Sequence, residues 1–188
     1  MRTLTTALAL SLTGQTVLGL PKHTARQDSP SCAELSASSP NWQISNAASS
    51  DWPGGASGRV ELFARHAPTG VLADCDVEYR LDADGNIVDY DPTIAVACMN
   101  FGASSLATNV TLDMDTLLLR LTSTWTCDDE EEGGEGGEVY MATGETTLER
   151  DTSPGACLVE PSQVGESTTC PIADVVVEGK LAEGEAEA

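Results

Sequence analysis

Hydrophobic and polar residues alternate along residues 117–127 with a period of two. One set of alternate positions suits the inside of a protein: Leu117, Leu119, Leu121, Ser123, Trp125 and Cys127. The other set consists of Leu118, Arg120 and three threonines. A period of two indicates a half-buried β-strand, because successive side chains point to opposite faces. The pattern therefore predicts a long strand that buries Trp125 and turns its threonines to solvent.

The same alternation predicts a hairpin earlier in the chain. Residues 58–66 place Val60, Leu62 and Ala64 on one face, and Glu61, Phe63 and Arg65 on the other. A Pro-Thr-Gly turn at 68–70 leads to residues 71–81, where alternate positions from Val71 to Leu81 form a second inward face. Two such runs joined by a tight turn are typical of an antiparallel hairpin. Asp84-Gly85 marks a further turn after it.

Shorter alternating runs supply the remaining elements. Further strands are predicted at 41–45, 93–101, 105–114, 139–148 and 172–181, with a loop at 49–58. Within 93–101 the inward face would carry Ile94, Val96 and Cys98. No run has a helical period, so the crossover helices of a parallel sheet have no place. The sequence predicts an all-β fold, an antiparallel β-barrel or β-sandwich of about eight to ten strands.

Composition along the chain separates one folded domain from its flanks. Residues 1–19 combine Arg2, a short apolar run and a small-residue end, which is the pattern of a secretory signal peptide and is too short to span a bilayer. The predicted order is signal peptide 1–19, disordered leader 20–31, a single domain at 32–181 with an acidic glycine-rich loop at 128–138, and an acidic tail at 182–188. We expect a secreted protein that has no membrane anchor.

The chain is strongly acidic, with 30 Asp and Glu against 9 Lys and Arg and a formal net charge of −21. Removal of residues 1–19 would take away one arginine and no acid, which leaves 8 basic side chains. Nucleic acid and anionic membrane are poor partners for such a chain, because both require a basic surface.

Six cysteines lie beyond the signal segment: Cys32, Cys75, Cys98, Cys127, Cys157 and Cys170. An even number behind a signal peptide predicts disulfide bonds, and six cysteines allow 15 pairings. The chain contains no CxxC pair and no histidine cluster, so zinc is a poor alternative and we expect no metal or other cofactor.

The order of these cysteines and strands resembles a known family. Cys32 precedes Trp42-Gln43-Ile44-Ser45, then come a Gly-x-Val strand, Cys75, Cys98, the LLLRL strand, an Ala- and Thr-rich strand at 141–147, and Cys157 and Cys170 before IADVVVEGKL. In this the chain is similar to the Alternaria major-allergen family of small fungal secreted proteins, which includes elicitor- and effector-like members.

The resemblance implies a compact antiparallel β-barrel or sandwich, with disulfide bonds Cys75–Cys98 and Cys157–Cys170. In the type allergen of that family, the cysteine that matches Cys32 links two subunits. Cys127 has no counterpart in that pattern, which leaves two alternatives for Cys32: a bond to Cys127 within a monomer, or a link between the chains of a dimer.

Candidate catalytic and calcium-binding groups are few. Paired carboxylates can hydrolyse glycosides, but in so acidic a chain some pair always lies at a suitable distance. A serine triad would need His66, which ends a predicted strand beside a turn and is expected on the surface, and there is no GxSxG motif. Residues 81–91 space acidic side chains as a calcium loop does, but the glycine is misplaced, so the segment predicts a hairpin turn at Asp84-Gly85.

Two further residues are candidates for modification or contact. Asn109-Val110-Thr111 is an N-glycosylation sequon, and the strand phase points Asn109 towards solvent. Trp52, in the predicted loop 49–58, would contact a partner or fold back over the end of the barrel. The first functional hypothesis is a non-enzymatic effector, elicitor or allergen-like protein that acts through protein contacts outside the cell. The alternatives are a carrier of a small hydrophobic ligand in the barrel mouth and a carboxylate-dependent hydrolase.

Overall fold

The computed structural model describes residues 29–102, 105–127, 138–163 and 165–182. The predicted signal peptide at 1–19 lies outside these residues, as do most of the leader 20–31, all but Glu138 of the loop 128–138, and all but Ala182 of the tail 182–188.

The described residues form one short helix and a series of strands. The helix α1 spans Cys32–Ser38, and a 3₁₀ turn spans Pro53–Gly55. The strands are β1 (Trp42–Trp52), β2 (Ser57–His66), β3 (Leu72–Leu81), β4 (Ile87–Val88), β5 (Val96–Ala97), β6 (Met99–Phe101), β7 (Ala107–Asp113), β8 (Leu118–Thr126), β9 (Val139–Thr147), β10 (Leu158–Ser162), β11 (Gly165–Ile172), β12 (Val175–Val177) and β13 (Gly179–Leu181).

Two antiparallel sheets form a half-barrel around a shared core. Within the described residues, the large sheet has eight strands in the order β10-β11-β1-β2-β3-β4, with β12 also beside β1 and β6 also beside β3. The small sheet has five, in the order β13-β9-β8-β7-β5. Along the described strands the chain changes sheets between β4 and β5, β5 and β6, β6 and β7, β9 and β10, and β12 and β13. The predicted all-β antiparallel class is confirmed.

The central strand β8 has the predicted phase. Leu119, Leu121, Ser123 and Trp125 are all 0% exposed, and the intervening threonines lie on the outer face. The indole Nε1 of Trp42, on β1, donates a hydrogen bond to Ser123 Oγ over 3.0 Å. Because these side chains come from different sheets, their contact ties the two layers of the core together.

The predicted β2–β3 hairpin is also present. The two strands pair from Ser57 with Arg80 to Arg65 with Leu72, and Gly70 adopts a positive φ of 66° in the turn between them. After β3, Gly85 adopts a φ of 83° and its N–H bonds Asp82 O over 3.1 Å. Glycine reaches this left-handed region without the steric cost of a Cβ, which is why both turns carry one.

The helix α1 was not predicted. Ser31 and Glu34 form a capping box, in which each side chain accepts a hydrogen bond from the other residue's backbone N–H. The S-x-x-E signature is legible in the sequence, although seven residues are too few to show a period. The helix places Ser36 in the core, where its hydroxyl accepts a hydrogen bond from Trp125 Nε1 over 2.9 Å.

The predicted loop 49–58 is wrong. Strand β1 continues to Trp52, and only residues 53–56 separate it from β2. Ser49 and Ser50 read as loop residues, yet they are buried because β11 pairs beside them, and Ser50 Oγ lies 3.0 Å from Thr169 Oγ1. The β10–β11 hairpin itself was missed, since its strands are polar and contain Pro161 and Pro171. Proline occurs mainly in edge strands such as β10, where a ladder N–H is dispensable.

The predicted single strand at 93–101 is wrong as well. It divides into β5, which pairs with β7 in the small sheet, and β6, which pairs with β3 in the large sheet. The intended inward residue Ile94 is 63% exposed. Cys98 sits between the two short strands and bonds to Cys75 of β3, so the disulfide fixes the point where the chain changes sheets.

All six cysteines lie in the described residues and are paired within the chain. The bonds are Cys32–Cys127, Cys75–Cys98 and Cys157–Cys170, with Cα–Cα distances of 5.6, 4.4 and 4.2 Å. The last two are the pairs that the family resemblance implies. Of the two alternatives for Cys32, the structure contains the bond to Cys127 within the chain. This bond links α1 to the end of β8.

Candidate functional site

His66 lies inside the protein, and its predicted surface position is wrong. It is 0% exposed, and its ring stands 4.3 Å from the Trp125 ring and 5.7 Å from the Trp42 ring, centroid to centroid. Its Nδ1 hydrogen-bonds the Thr69 hydroxyl over 3.0 Å, while Nε2 is buried and has no partner among the described residues. Burial lowers the pKa of His66 from 6.5 to about 4. The imidazole is therefore neutral at neutral pH and closed to a substrate.

This buried histidine predicts a loss of stability in acid. The folded-state pKa lies below the unfolded value, so as the pH falls the unfolded chain binds a proton at His66 before the folded protein does. The stability that depends on a neutral His66 is therefore lost as the pH falls from 6.5 towards 4. We expect His66 to account for a loss of about 2 to 3 kcal/mol in the free energy of unfolding between pH 7 and pH 4.5. Urea titrations of the wild type and of His66→Gln or His66→Leu measure it. The carboxylates titrate alike in the variant and the wild type and so cancel in the comparison. An equal pH dependence of the two free energies of unfolding would contradict this effect of His66.

The space between the sheets at this level is filled by aromatic rings. Trp42 and Trp125 are 0% exposed, and the ring of Tyr140 stacks on Trp125 at a centroid distance of 5.7 Å. Gly144 lies against the Trp42 ring, where an added Cβ would come within 2.9 Å of it. The interior here is a packed core, so a hydrophobic ligand could enter only by displacing tryptophan.

The calcium-like segment is a hydrogen-bonded turn. Asp82 Oδ1 accepts from the backbone N–H of Asp84 over 2.9 Å and of Asn86 over 2.8 Å, and the Asn86 amide also donates to the carboxylate. These bonds, the Asn86 side chain first, lower the pKa of Asp82. The turn thus engages both oxygens of Asp82 with donors from within the segment. No group of three or more acidic, His or Cys side chains in the described ranges is placed to hold a metal ion.

Asn109 lies on the outer face of the small sheet. It pairs with Ala97 on one side and Thr122 on the other, and it is half-buried. Val110 and Leu112 on the same strand point inward and are buried. The side chain has the outward orientation expected of a glycosylation site, and its modification stays a prediction.

Trp52 is half-buried at the end of β1, beside a groove of about 430 Å³. The Arg59 guanidinium lies 5.7 Å from the centre of its ring. The groove is otherwise lined mainly by charged groups, and two of them, Arg80 and Asp89, form an ion pair at 3.0 Å. Trp52 is therefore neither fully exposed to solvent nor part of the buried core.

A cluster of apolar side chains lies on the outer face of the large sheet, away from the core. Cross-strand pairing sets Phe63, Asp74 and Met99 in one row, and Arg65, Leu72 and Phe101 in the next. Met99 is 64% exposed and Phe101 50%, and the two phenylalanine rings stand 6.2 Å apart. We call Phe63, Leu72, Met99 and Phe101 the Phe patch. It contains both phenylalanines of the chain.

Carboxylates adjoin the Phe patch on the same face. Glu61 pairs with Asp76 and Arg59 with Glu78 across β2 and β3, next to the row that holds Asp74. We call Glu61, Asp74, Asp76 and Glu78 the acidic row. Arg59 is its nearest cation, 3.2 Å from Glu61 and 3.6 Å from Asp76. The pKa of Asp76 is raised, first by partial burial and then by the neighbouring carboxylates, although Arg59 opposes this.

Two oxygens in the acidic row have no hydrogen-bond donor among the described residues. They are Asp74 Oδ1 and Asp76 Oδ1, and both atoms are shielded from solvent. Arg59 Nε, on the same face, is also shielded and unpaired. Buried polar atoms are normally hydrogen-bonded, because leaving one unpaired costs about 1–3 kcal/mol. The outer face of the large sheet therefore combines apolar side chains, of which Met99 and Phe101 are exposed, with two carboxylates that each have one shielded oxygen without a donor.

Sequence reasoning missed this face as a candidate site. The alternation along β2 did place Phe63 on the outer side. Phe101 joins it only because β6 pairs with β3, and that pairing depends on the chain crossing between the sheets.

Comparison of the chain with protein-family models, curated proteins and solved structures returns no match. Among the described residues, no helix has the length and apolar character needed to cross a membrane. The three disulfide bonds indicate an oxidising environment, as outside the cell.

Proposed function

We propose that this chain is a secreted, non-enzymatic protein that binds another protein outside the cell through the outer face of its large sheet. The observation that carries the proposal is the Phe patch. Phe101 is 50% exposed and its ring stands 6.2 Å from that of Phe63, which is half-buried on the same outer face, while Trp42 and Trp125 are fully buried. The cysteine and strand order that resembles the Alternaria major-allergen family supports the narrower reading of a fungal effector, elicitor or allergen-like protein.

The chemistry of the patch favours protein recognition. Large aromatic and Met side chains are enriched at protein interfaces, and contiguous exposed apolar groups rimmed by polar ones mark interaction sites. Phe63 and Phe101 belong to strands held by β3, and the Cys75–Cys98 bond fixes β3 to the segment just before β6. A rigid surface loses little conformational entropy when a partner binds.

The outer face of the small sheet is a weaker candidate. It carries Asn109 on β7, the strand next to the edge strand β5, between Ala97 and Thr122. A glycan there would cover much of that face, and leave the large sheet open to a partner.

The two alternative functions have less support. A hydrophobic-ligand carrier needs an interior cavity, whereas tryptophan rings fill the space between the sheets. A hydrolase that uses His66 needs a histidine in reach of substrate, and this one is 0% exposed.

Photo-crosslinking at position 101 tests the docking surface. Replacing Phe101 with p-benzoylphenylalanine should yield a discrete crosslinked product in the extracellular fluid of the producing organism or its host. Excess unlabelled wild-type protein should suppress that product. A Phe63→Ser/Phe101→Ser competitor should be at least about tenfold weaker, since interface aromatics are often worth 2 kcal/mol or more.

The matched control carries the same photo-reactive residue at Thr143, which is exposed on the outer face of the small sheet. It should give no product that the wild type suppresses. Equal crosslinking from both positions, or full competition by the double serine variant, would refute the docking surface.

A further inference from the structure

The charge of the docking face restricts what can bind it. Four carboxylates of the acidic row lie on β2 and β3 beside the Phe patch, with Arg59 among them. The whole chain carries a formal net charge of −21. A second copy of the chain would bring like charges together, and such juxtaposition costs several kcal/mol. Self-association through this face is therefore disfavoured, and a partner of opposite charge is favoured.

The carboxylates of Asp74 and Asp76 add a more specific requirement. Asp74 Oδ1 and Asp76 Oδ1 are shielded from solvent and accept no hydrogen bond from the described part of the chain. They lie on adjacent outward positions of β3, so their side chains share one face. These two atoms are closed to a partner as well, but their carboxylates reach the surface, since the Asp76 side chain is 40% exposed and Asp74 is half-buried. A partner's donor would therefore bond the outer oxygens of the two carboxylates. A cationic donor would also offset the repulsion between Asp76 and its neighbours Glu61, Glu78 and Asp74.

The Phe patch lies within one strand spacing of these oxygens. Asp74 pairs directly with Phe63 on one side and with Met99 on the other. Opposed side chains in antiparallel strands have Cβ atoms about 5 Å apart. A partner group that reaches Asp74 therefore also reaches the Phe63 ring and the Met99 side chain, so both kinds of contact can come from one short segment.

We infer that the partner is a basic protein segment, with an arginine or lysine that bonds Asp74 and Asp76 and an apolar side chain next to it that packs on Phe63, Met99 and Phe101. This inference rests on the proposed function, because it names the partner chemistry of the same face. Arginine suits the site best, since its planar fork carries five N–H donors and also packs against aromatic rings.

A short synthetic peptide tests this chemistry without a known partner. The probe is acetylated and amidated Arg-Ser-Leu-Ser-Arg-Ser-Leu, in which the period of two turns every Arg and Leu to one side of an extended chain. Titration calorimetry should show saturable binding to the wild-type protein that weakens as salt is added. Two control peptides, with Gln for Arg or with Ser for Leu, should each bind at least about tenfold more weakly.

Protein variants then test whether Asp74 and Asp76 themselves bind the peptide or whether the overall charge of the chain does. Asp74→Asn/Asp76→Asn should weaken peptide binding by about tenfold or more, because charged hydrogen bonds are worth about 1.5–3 kcal/mol. The matched control Glu145→Gln/Glu149→Gln removes the same charge at exposed positions, one of them on the outer face of the small sheet, and should leave affinity unchanged. Circular dichroism spectra establish that every variant is folded.

Three outcomes overturn the inference. Absence of saturable binding to the wild type does so, and so does equal weakening by the two charge variants. If Phe101→Ser abolishes binding but the Asp74 and Asp76 variant does not, the partner need not be basic, and the docking surface itself stands.

Discussion

Replacing Trp125 with alanine should lower the free energy of unfolding by about 4 kcal/mol, the range for deleting a large buried aromatic side chain. Trp125 is 0% exposed and lies between His66 and Tyr140. Its loss would leave a cavity between the two sheets. It would also remove the N–H that donates to the buried Ser36 hydroxyl, which would keep the hydrogen bond it donates to Cys32 O over 2.8 Å. Equilibrium urea unfolding of the wild type and the variant measures the difference.

The control is Trp52→Ala, which removes the same side chain from a half-exposed position. We expect it to change the free energy of unfolding by less than about 1 kcal/mol, as for most surface substitutions. If Trp125→Ala does not fold, Trp125→Phe should still cost more than Trp52→Phe. Equal costs at the two positions would contradict the position of Trp125 at the centre of the core.

The second large effect concerns the disulfide bonds, which should rank by the length of chain they enclose. Cys32–Cys127 spans 95 residues, and its removal as Cys32→Ser/Cys127→Ser should cost about 4.5 kcal/mol in the chain-entropy model. Cys157–Cys170 spans 13 residues and should cost about 3 kcal/mol, and Cys75–Cys98, spanning 23, lies between them. Each is removed as a double serine variant, so that no free thiol remains.

Thermal and urea unfolding of the three variants test this order. The Cys75–Cys98 variant should also melt at a markedly lower temperature than the wild type. If loss of the 157–170 bond destabilises the protein more than loss of the 32–127 bond, the fastening of α1 to β8 is less important than we infer.

The strand pattern could be predicted wherever local alternation decides burial. In β8, every second residue from Leu119 to Trp125 faces the core as the period of two requires. In β2 and β3 the same holds, and glycine at position 70 marks the reversal between them. In such segments the sequence itself alternates, so no knowledge of neighbouring strands is needed.

Segments that depend on distant partners could not be predicted. Ser49 is buried in the part of β1 that pairs with β11, and nothing near Ser49 in the sequence signals that strand. His66 continues the inward series of Val60, Leu62 and Ala64, whereas its place at the end of the strand beside a turn predicts a surface position. Alternation alone would have placed it inside.

On the outer face of the large sheet, some features follow from the local sequence and others depend on strands that are distant in the chain. The outward position of Phe63 follows from alternation along β2. Its contact with Phe101 follows from the passage of the chain from β5 to β6, where a change of sheet interrupts a run that reads as one strand. The unpaired oxygens of Asp74 and Asp76 are a property of the packed face and have no signature in the sequence.

We expect a basic partner to bind the outer face of the large sheet. Chemical-shift mapping of the isotope-labelled protein with the Arg-Ser-Leu-Ser-Arg-Ser-Leu peptide tests it most directly. We expect the shift changes to cluster on outward residues of β2, β3 and β6, including Phe63, Asp74 and Phe101, and to be absent from the outward residues of β8 and β9. Changes centred on the small sheet, or spread evenly over acidic residues of the whole surface, would contradict the account.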